Sequence, residues 1–195
     1  MAQNRGEITV DRSRIVLAIA VLAYAAAADA QPSIFTGSIT AHVGAAHGGD
    51  VRERAWTPGA SMAVIDDNGL GAEIDIAHTR GFDKEFFAES AVTSFMLNII
   101  GIYPHTTFQP FVNAGVGVMR TRAAVFAGDA PTSRTDLAFN AGGGLQYMFN
   151  ELIGVRGDVR YFRYFQRHTD LPLLDNGFFD FWRSSIGVTF AWPIR

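Results

Sequence analysis

Apolar and polar residues alternate at every second position along most of the chain after Gln31, and this is the feature that most limits the fold. Side chains of a β-strand point to opposite faces in turn, so this period indicates strands with one apolar and one polar face. The sustained 3.6-residue period of a helix is not found after Gln31. Eight segments are predicted as strands: 35–46, 59–65, 69–78, 92–100, 109–119, 136–149, 152–162 and 181–192.

The connections between the predicted strands differ in length. Asn68-Gly69 suits a tight hairpin turn, and the connections at 101–108 and 150–151 are also short. Longer connections, each with several charges, are predicted at 47–56, 80–90, 120–134 and 167–178. An even number of strands with short and long connections in alternation is typical of a transmembrane barrel with short periplasmic turns and longer external loops. We therefore predict an all-β fold, an eight-stranded antiparallel up-and-down transmembrane β-barrel, as one domain at 31–195.

The N-terminal thirty residues have the three parts of a secretory signal. Arg12-Ser13-Arg14 precedes an apolar run at 15–28, and Ala28-Asp29-Ala30 gives a small-residue cleavage site. A membrane anchor is the alternative, but this run is shorter than the roughly 20 residues that a spanning helix needs. We predict a cleavable Sec-type signal peptide at 1–30 and a location in the outer membrane of a Gram-negative-type bacterium.

The chemistry of the two strand faces distinguishes a membrane barrel from a soluble β-sandwich, which shares the same alternation. One face carries bulky apolar residues such as Leu97, Val116 and Val188, as a lipid-facing wall would. The other face is small and polar, with recurring Gly and Asn, and the whole chain has one lysine, Lys84. A solvated surface normally carries many charged residues, so we predict that the small polar face encloses a narrow lumen.

The segment Arg156-Gly157-Asp158 lies within a predicted strand and contains an adhesion-type triplet. An adhesion ligand requires an exposed loop, whereas Arg156, Asp158 and Arg160 share the inward parity of this strand. Strands three and seven lie on opposite walls of an eight-stranded barrel, so we predict a buried ion network across the lumen. The predicted polar lumen residues are Glu73, Asp75, Asn98, Asn113, Asn140, Arg156, Asp158, Arg160 and Arg183.

Aromatic residues cluster near the ends of the predicted strands. Amphipathic rings favour the membrane–water interface, although aromatics of an ordinary core are the alternative. The predicted interface aromatics are Tyr103, Phe108, Tyr147, Phe149, Tyr161, Phe179, Trp182 and Trp192.

Several stretches carry a resemblance to a known family: "LGAEIDIAHTR", "QPFVNAGVGVM", "FNAGGGLQY", "VRGDVRYF" and "SSIGVTFAW". Together they resemble the small eight-stranded outer-membrane barrels of the OmpA/OmpX kind, over roughly residues 33–192. The resemblance implies the barrel fold and recognition by the outer-membrane assembly machinery. Members of that group usually end in an aromatic residue, whereas Trp192 is followed here by Pro193-Ile194-Arg195.

Other chemistry has little support in the sequence. The chain has no cysteine and a formal net charge of −3, and its five histidines, at 42, 47, 78, 105 and 168, have no metal-ligand spacing. We therefore expect no metal, no cofactor and no nucleic-acid partner. His168 and Ser184 lie on one predicted hairpin and raise the possibility of a lipid hydrolase. Their spacing matches no known signature, so we expect no enzyme activity.

The functional prediction is an envelope-structural or surface-interaction barrel whose polar lumen is plugged by side chains. The alternative is a narrow pore for ions or small solutes, which requires a continuous water path through those side chains. Outer-membrane lipid and lipopolysaccharide are the expected surroundings, and an extracellular partner at the loops is the remaining candidate partner. Two predicted loops contain apolar groups that suit such contacts: Phe82, Phe86 and Phe87, and Leu171, Leu173, Leu174 and Phe178.

Overall fold

The computed structural model of the protein describes residues 35–81, 89–104, 106–124, 132–165 and 179–194. They form eight strands: β1 (Phe35–Gly48), β2 (Val51–Ile65), β3 (Leu70–Arg80), β4 (Glu89–Ile102), β5 (Phe108–Ala124), β6 (Thr132–Met148), β7 (Ile153–Tyr164) and β8 (Asp180–Ile194). Among these residues there is no helix long and apolar enough to cross a membrane. The predicted signal peptide, His105, His168 and the apolar groups of the two loops lie outside the described residues.

The sheet closes on itself in chain order. Each strand pairs antiparallel with its neighbour in sequence, and β8 pairs antiparallel with β1 from Phe35↔Ile194 to His47↔Trp182. Closure leaves no strand edge unpaired, as a sheet within a bilayer requires. The predicted eight-stranded antiparallel up-and-down topology is confirmed.

The alternation seen in the sequence separates the two faces of this barrel. Large apolar side chains project outward and are exposed in a continuous band: Ile39, Val43, Met62, Val64, Ile76, Phe95, Leu97, Ile99, Val112, Val116, Val118, Leu137, Leu145, Val159, Ile186, Val188 and Phe190. The alternate positions point into the lumen, where Glu73, Asp75, Arg160 and Arg183 are at most 1% exposed. Such an inside-out distribution suits a barrel whose outer wall faces hydrocarbon.

Short turns join the strands at one end of the barrel. Between β2 and β3, Gly69 has a positive φ of 87° and its N–H donates to the carbonyl of Asp66 at 3.0 Å, which forms the predicted hairpin. The β4–β5 and β6–β7 connections are at the same end, as are the first residues of β1 and the last of β8. We expect this to be the periplasmic end, since short periplasmic turns are typical of transmembrane barrels, and we name the opposite end the external end.

The connection predicted at 47–56 is wrong as a long loop. β1 continues to Gly48 and β2 begins at Val51, so a tight turn at Gly49-Asp50 joins them. Gly48 and Gly49 have positive φ values of 69° and 60°, which permit this turn. The charges of this stretch concealed an alternation in which Val51 and Ala55 are buried in the lumen. Strands that rise above the bilayer tolerate outward charge, so polarity alone does not mark their ends.

Other strands also extend beyond their predicted limits at the external end. β5 continues to Ala124 and β6 begins at Thr132, so most of the predicted loop 120–134 is strand. This extension matters for the outer wall, because it places several basic side chains on ordered backbone above the apolar band.

Candidate functional site

A layer of paired charges crosses the middle of the lumen. Glu73 of β3 faces β7 from the opposite wall, and its Oε1 and Oε2 lie 2.8 Å from Arg160 Nη1 and 2.7 Å from Arg156 Nη2. Arg160 also donates to Asp158 Oδ2 from Nη2 at 2.8 Å. Ser185 of β8 donates to Asp158 Oδ1 at 2.6 Å. Glu73 is thus held by two guanidinium groups from the far wall of the barrel.

Asp75 forms the second half of this charge layer. Its two oxygens accept hydrogen bonds from Nη1 and Nη2 of Arg183, both at 2.9 Å, in a fork-to-fork pair. His42 Nε2 lies 3.2 Å from Asp75 Oδ2, and Arg160 Nη1 lies 3.7 Å from the same oxygen. Three carboxylates and three guanidinium groups therefore meet in one layer whose formal charges cancel when His42 is neutral.

Amide side chains extend the network toward β6. Asn98 Nδ2 donates to Glu73 Oε1 at 3.0 Å, and Asn140 Nδ2 donates to Asn98 Oδ1 at 2.8 Å. Asn113 is 5% exposed, and neither of its side-chain polar atoms has a hydrogen-bond partner among the described residues. All nine residues predicted for the lumen are buried inside the barrel. Eight of them are joined in this network, and Asn113 is the exception.

Apolar layers cover the charged layer on both sides. Toward the periplasm, Ala63, Ile65, Ile100, Ile102 and Phe111 form one buried cluster. Toward the exterior, a larger buried cluster contains Ala46, Val51, Ala55, Val92, Met96, Met119, Ala138, Phe162, Tyr164, Phe179 and Phe181. The polar-lumen prediction missed these layers, because alternation fixes which way a side chain points and not whether water reaches it.

Aromatic rings connect the charged layer to both apolar layers. The guanidinium carbon of Arg156 is 4.0 Å from the ring centre of Phe111, and that of Arg183 is 4.9 Å from the ring centre of Phe162. Phe162 in turn stacks on Phe181 at 5.0 Å. Arg156 and Arg183 thus each have a carboxylate on one side and an aromatic face on another, an arrangement that favours a buried guanidinium.

Glycines give the long lumen side chains the room they need. A Cβ on Gly142 of β6 would come within 2.8 Å of Arg160 Cγ, and one on Gly144 within 2.8 Å of Phe111 Cζ. Both distances are far inside van der Waals contact. The same Cβ atoms would also clash with the backbone carbonyl oxygens of Val159 and Gly157 on β7. The glycines on the inward face of β6 therefore allow both the close approach of β7 and the packing of arginine and phenylalanine from other strands.

A water-accessible cavity of about 580 Å³ opens at the periplasmic end of the lumen. Polar side chains line much of it, including Ser38, Gln109 and Gln146, and Gln146 Nε2 donates to Gln109 Oε1 at 3.1 Å. Ile65 and Ile102 of the lower apolar cluster also line it. The cavity is therefore a vestibule whose inner end meets the apolar layer below the ions.

The aromatic residues lie near the ends of the barrel. Tyr103, Phe108 and Phe149 are 59–62% exposed at the periplasmic end, where Tyr147 packs against Phe108 and Phe149 with ring centres 4.8 and 5.2 Å apart. Trp192 is exposed near the same end, and Tyr161 packs on the exposed Trp182 near the other, at 5.2 Å. The placement of Phe179 is wrong, because it is 5% exposed within the upper apolar cluster.

Two residues that the structure makes conspicuous were not identified from the sequence. His42 shares the inward parity of β1, which was visible in the alternation, but nothing in the sequence indicated that β1 would bring it to Asp75 of β3. Trp56, 72% exposed, lies in the stretch that we predicted as a loop.

Ser184 has a histidine partner among the described residues, His47, whereas His168 lies outside them. The residue is on the outer wall of β8, where its Oγ lies 3.0 Å from His47 Nε2 of β1. No carboxylate among the described residues is within hydrogen-bond distance of His47. Across all the residues that the structure describes, no group of three or more His, Cys, Asp or Glu side chains is arranged to hold a metal ion.

Comparison with known proteins supports the architecture. The structure resembles Neisserial surface protein A (TM-score 0.59, 12% identity, 80% of this chain and 95% of that one). It also resembles the attachment invasion locus protein Ail of Yersinia pestis in complex with the heparin analogue sucrose octasulfate (TM-score 0.56, 12% identity, 82% and 99%). The N-terminal β-barrel domain of Pseudomonas aeruginosa OprF is similar as well (TM-score 0.53, 19% identity, 80% and 97%).

The sequence itself gives the family. No curated protein matches the chain. A family model, described as the outer membrane protein beta-barrel domain, matches residues 15–192. Since that match covers most of the chain and agrees with the closed eight-stranded barrel, the protein belongs to the outer membrane protein beta-barrel domain family.

Proposed function

We propose that the protein is a non-conducting outer-membrane barrel, exported by a Sec-type signal peptide in a Gram-negative-type bacterium, that strengthens the envelope and presents its external end to partners. The observation that carries this proposal is the layered lumen. A solute would have to pass two buried apolar clusters and, between them, a charge-balanced layer anchored on Glu73 and Asp75. Eight strands enclose an interior that side chains are able to fill.

The energetics of the charged layer support a plug rather than a gate. Removing one partner of a buried ion pair typically costs about 3–5 kcal/mol, because the remaining charge stays buried. Arg183 makes two hydrogen bonds to Asp75, and Arg160 contacts both Glu73 and Asp158. Opening a water path requires several of these contacts to break together with the packing of Phe162 on Phe181.

A narrow pore is the second candidate, and the periplasmic vestibule is the observation in its favour. Its volume of about 580 Å³ admits water and small solutes into the lower part of the lumen. The vestibule ends at Ile65 and Ile102, so conduction would require the lower cluster to move.

Planar-bilayer recording of the refolded protein separates the two candidates. We expect no conductance steps from the wild-type protein. The control is a triple variant with one truncation in each layer, Phe111→Ala, Arg160→Ala and Phe162→Ala, for which we expect conductance steps because all three barriers are reduced. Steady conductance steps from the wild-type protein would contradict the proposal and establish the pore.

We also propose that the barrel is not an enzyme. Among the described residues, His47 and Ser184 pair a hydroxyl with an imidazole as a nucleophile and base would, but the hydrogen bond between them is also an ordinary polar contact between neighbouring strands. Mass spectra of lipid A from cells that lack or overproduce the protein test this point. We expect identical spectra, and loss of an acyl chain that depends on Ser184 would refute the proposal.

A further inference from the structure

The outer wall formed by β3 to β6 changes character in three successive rows of side chains. Ile76, Phe95, Val118 and Leu137 pair directly across the four strands, and all are exposed apolar residues. The next row toward the external end consists of His78, Thr93, Arg120 and Thr135, and the one after that of Arg80, Ala91, Arg122 and Ser133. Hydrocarbon-facing chemistry therefore gives way to basic and hydroxyl chemistry within two residues of each strand.

The three arginines of these rows, which we name the arginine patch, form a compact group. Arg120 and Arg122 are two residues apart on β5, which corresponds to about 7 Å along a strand. Arg80 and Arg122 flank Ala91 from either side, so their strands are about 10 Å apart. Their side chains are exposed and leave the barrel on the same wall.

Among the side chains that the structure describes, which do not include those of residues 82–89 and 123–132, no carboxylate lies within 4 Å of these arginines. Arg80 Nε donates to His78 Nε2 at 3.0 Å, and His78 Nδ1 lies 2.8 Å from Thr93 Oγ1. Arg120 Nη2 donates to Ser133 Oγ at 3.3 Å. Because Nε2 accepts a hydrogen bond, the imidazole is neutral and its proton goes to Thr93. These described partners are neutral, so they orient the guanidinium groups and add no negative charge.

The arginines of the lumen, which no external anion reaches, are paired with carboxylates inside the protein. Arg156, Arg160 and Arg183 each lie within 3 Å of a carboxylate oxygen. The patch arginines differ, since they sit at the level where the apolar band ends. At that level a bilayer presents headgroups, and charged side chains there cost far less than at the bilayer midplane.

We propose that the arginine patch binds the phosphate groups of a phosphorylated glycolipid of the outer leaflet. Guanidinium groups bind phosphate through paired, charge-assisted hydrogen bonds, and three of them over this area match a headgroup with more than one phosphate. The row of Ile76, Phe95, Val118 and Leu137 directly beneath provides a surface for the acyl chains of the same lipid. The patch thus fixes the depth and rotation of the barrel relative to one lipid.

Native mass spectrometry of the detergent-solubilised protein, titrated with diphosphoryl or monophosphoryl lipid A, tests this proposal. The variant is Arg80→Gln/Arg120→Gln/Arg122→Gln. An arginine near an anionic surface contributes about fivefold to binding, so we expect the triple variant to bind diphosphoryl lipid A roughly a hundredfold more weakly. We expect the wild-type protein to prefer the diphosphoryl form, and inorganic phosphate at the same concentration not to displace it.

The matched control is Arg163→Gln, which removes an outward arginine from β7 that pairs in register with Asp180 and should leave lipid binding unchanged. Folding of each variant is checked on a denaturing gel, where a folded barrel migrates differently before and after heating. If the triple variant does not fold, the single variant Arg120→Gln replaces it. Equal binding by the wild-type and patch variants would overturn the proposal. Equal losses in the patch and Arg163→Gln variants would also overturn it, as would displacement by inorganic phosphate.

Discussion

Replacing Glu73 by Gln tests the charged layer with little change in side-chain volume. Glu73 is fully buried and compensates two guanidinium groups, at 2.7 Å from Arg156 and 2.8 Å from Arg160. After the substitution Arg160 keeps Asp158 at 2.8 Å, but the remaining carboxylate contact of Arg156 is 3.6 Å long. The layer then holds one uncompensated positive charge, and we expect the free energy of unfolding to fall by about 3–5 kcal/mol.

Urea unfolding in phospholipid vesicles, followed by tryptophan fluorescence, measures this change. Trp182 and Trp192 are exposed on the outer wall, so their emission reports whether the barrel is in the bilayer. The control Arg134→Gln removes an ion pair in which the arginine is 43% exposed, and we expect a loss below about 1 kcal/mol. An equally small loss for Glu73→Gln would refute the idea that the charged layer stabilises the barrel.

A double-mutant cycle separates charge balance from simple loss of contacts. The double variant Glu73→Gln/Arg156→Gln restores neutrality in the layer, so we expect it to be more stable than the sum of the single effects by about 1–3 kcal/mol. Strict additivity would mean that Glu73 and Arg156 do not interact despite their 2.7 Å separation.

Three further predictions use the same unfolding assay. Gly142→Ala should destabilise the barrel, because its Cβ would clash with the Val159 carbonyl oxygen of β7 and come within 2.8 Å of Arg160 Cγ. Gly157→Ala should be tolerated, since its nearest neighbour is 3.8 Å away, and equal effects would contradict the close packing at Gly142. Ile99→Arg, at an outward position that is 55% exposed, should cost about 2–4 kcal/mol if that position lies near the bilayer midplane, and Tyr103→Arg at the interface about 0–1 kcal/mol. A soluble protein would show no such dependence on depth. Phe162→Ala should cost about 3–5 kcal/mol through the cavity that it leaves, and a loss below 1 kcal/mol would mean that the upper apolar layer is not packed.

The sequence predicted the strands and their faces well because a half-buried strand has a fixed period of two. Glu73 and Arg160 fall on inward parity, and in an eight-stranded barrel β3 lies opposite β7, so their meeting follows from counting strands. The particular partners did not follow, because strand shear decides which inward residues share a level. His42 joined Asp75 for that reason, without any local signal in the sequence.

The position of a side chain along the barrel axis was harder to predict than its partner on the opposite wall. Phe179 was placed at the membrane interface because aromatic residues near strand ends favour that position, but it packs in the lumen at 5.8 Å from Phe181. A strand of the same length could place this side chain at either position. The difference lies in parity, and the parity of β8 near its first residue was obscured by the predicted loop before it.

Site-directed spin labelling tests the central claim, that this chain forms a barrel with an apolar outer wall in a membrane. The sequence contains no cysteine, so single labels at Val116→Cys, Val188→Cys and Asp67→Cys need no background removal. In vesicles the account predicts that labels at 116 and 188 collide readily with oxygen and rarely with a water-soluble nickel complex, and that the label in the turn at 67 does the reverse. Ready access of the nickel complex to 116 and 188 would contradict the account, because that wall would then face water.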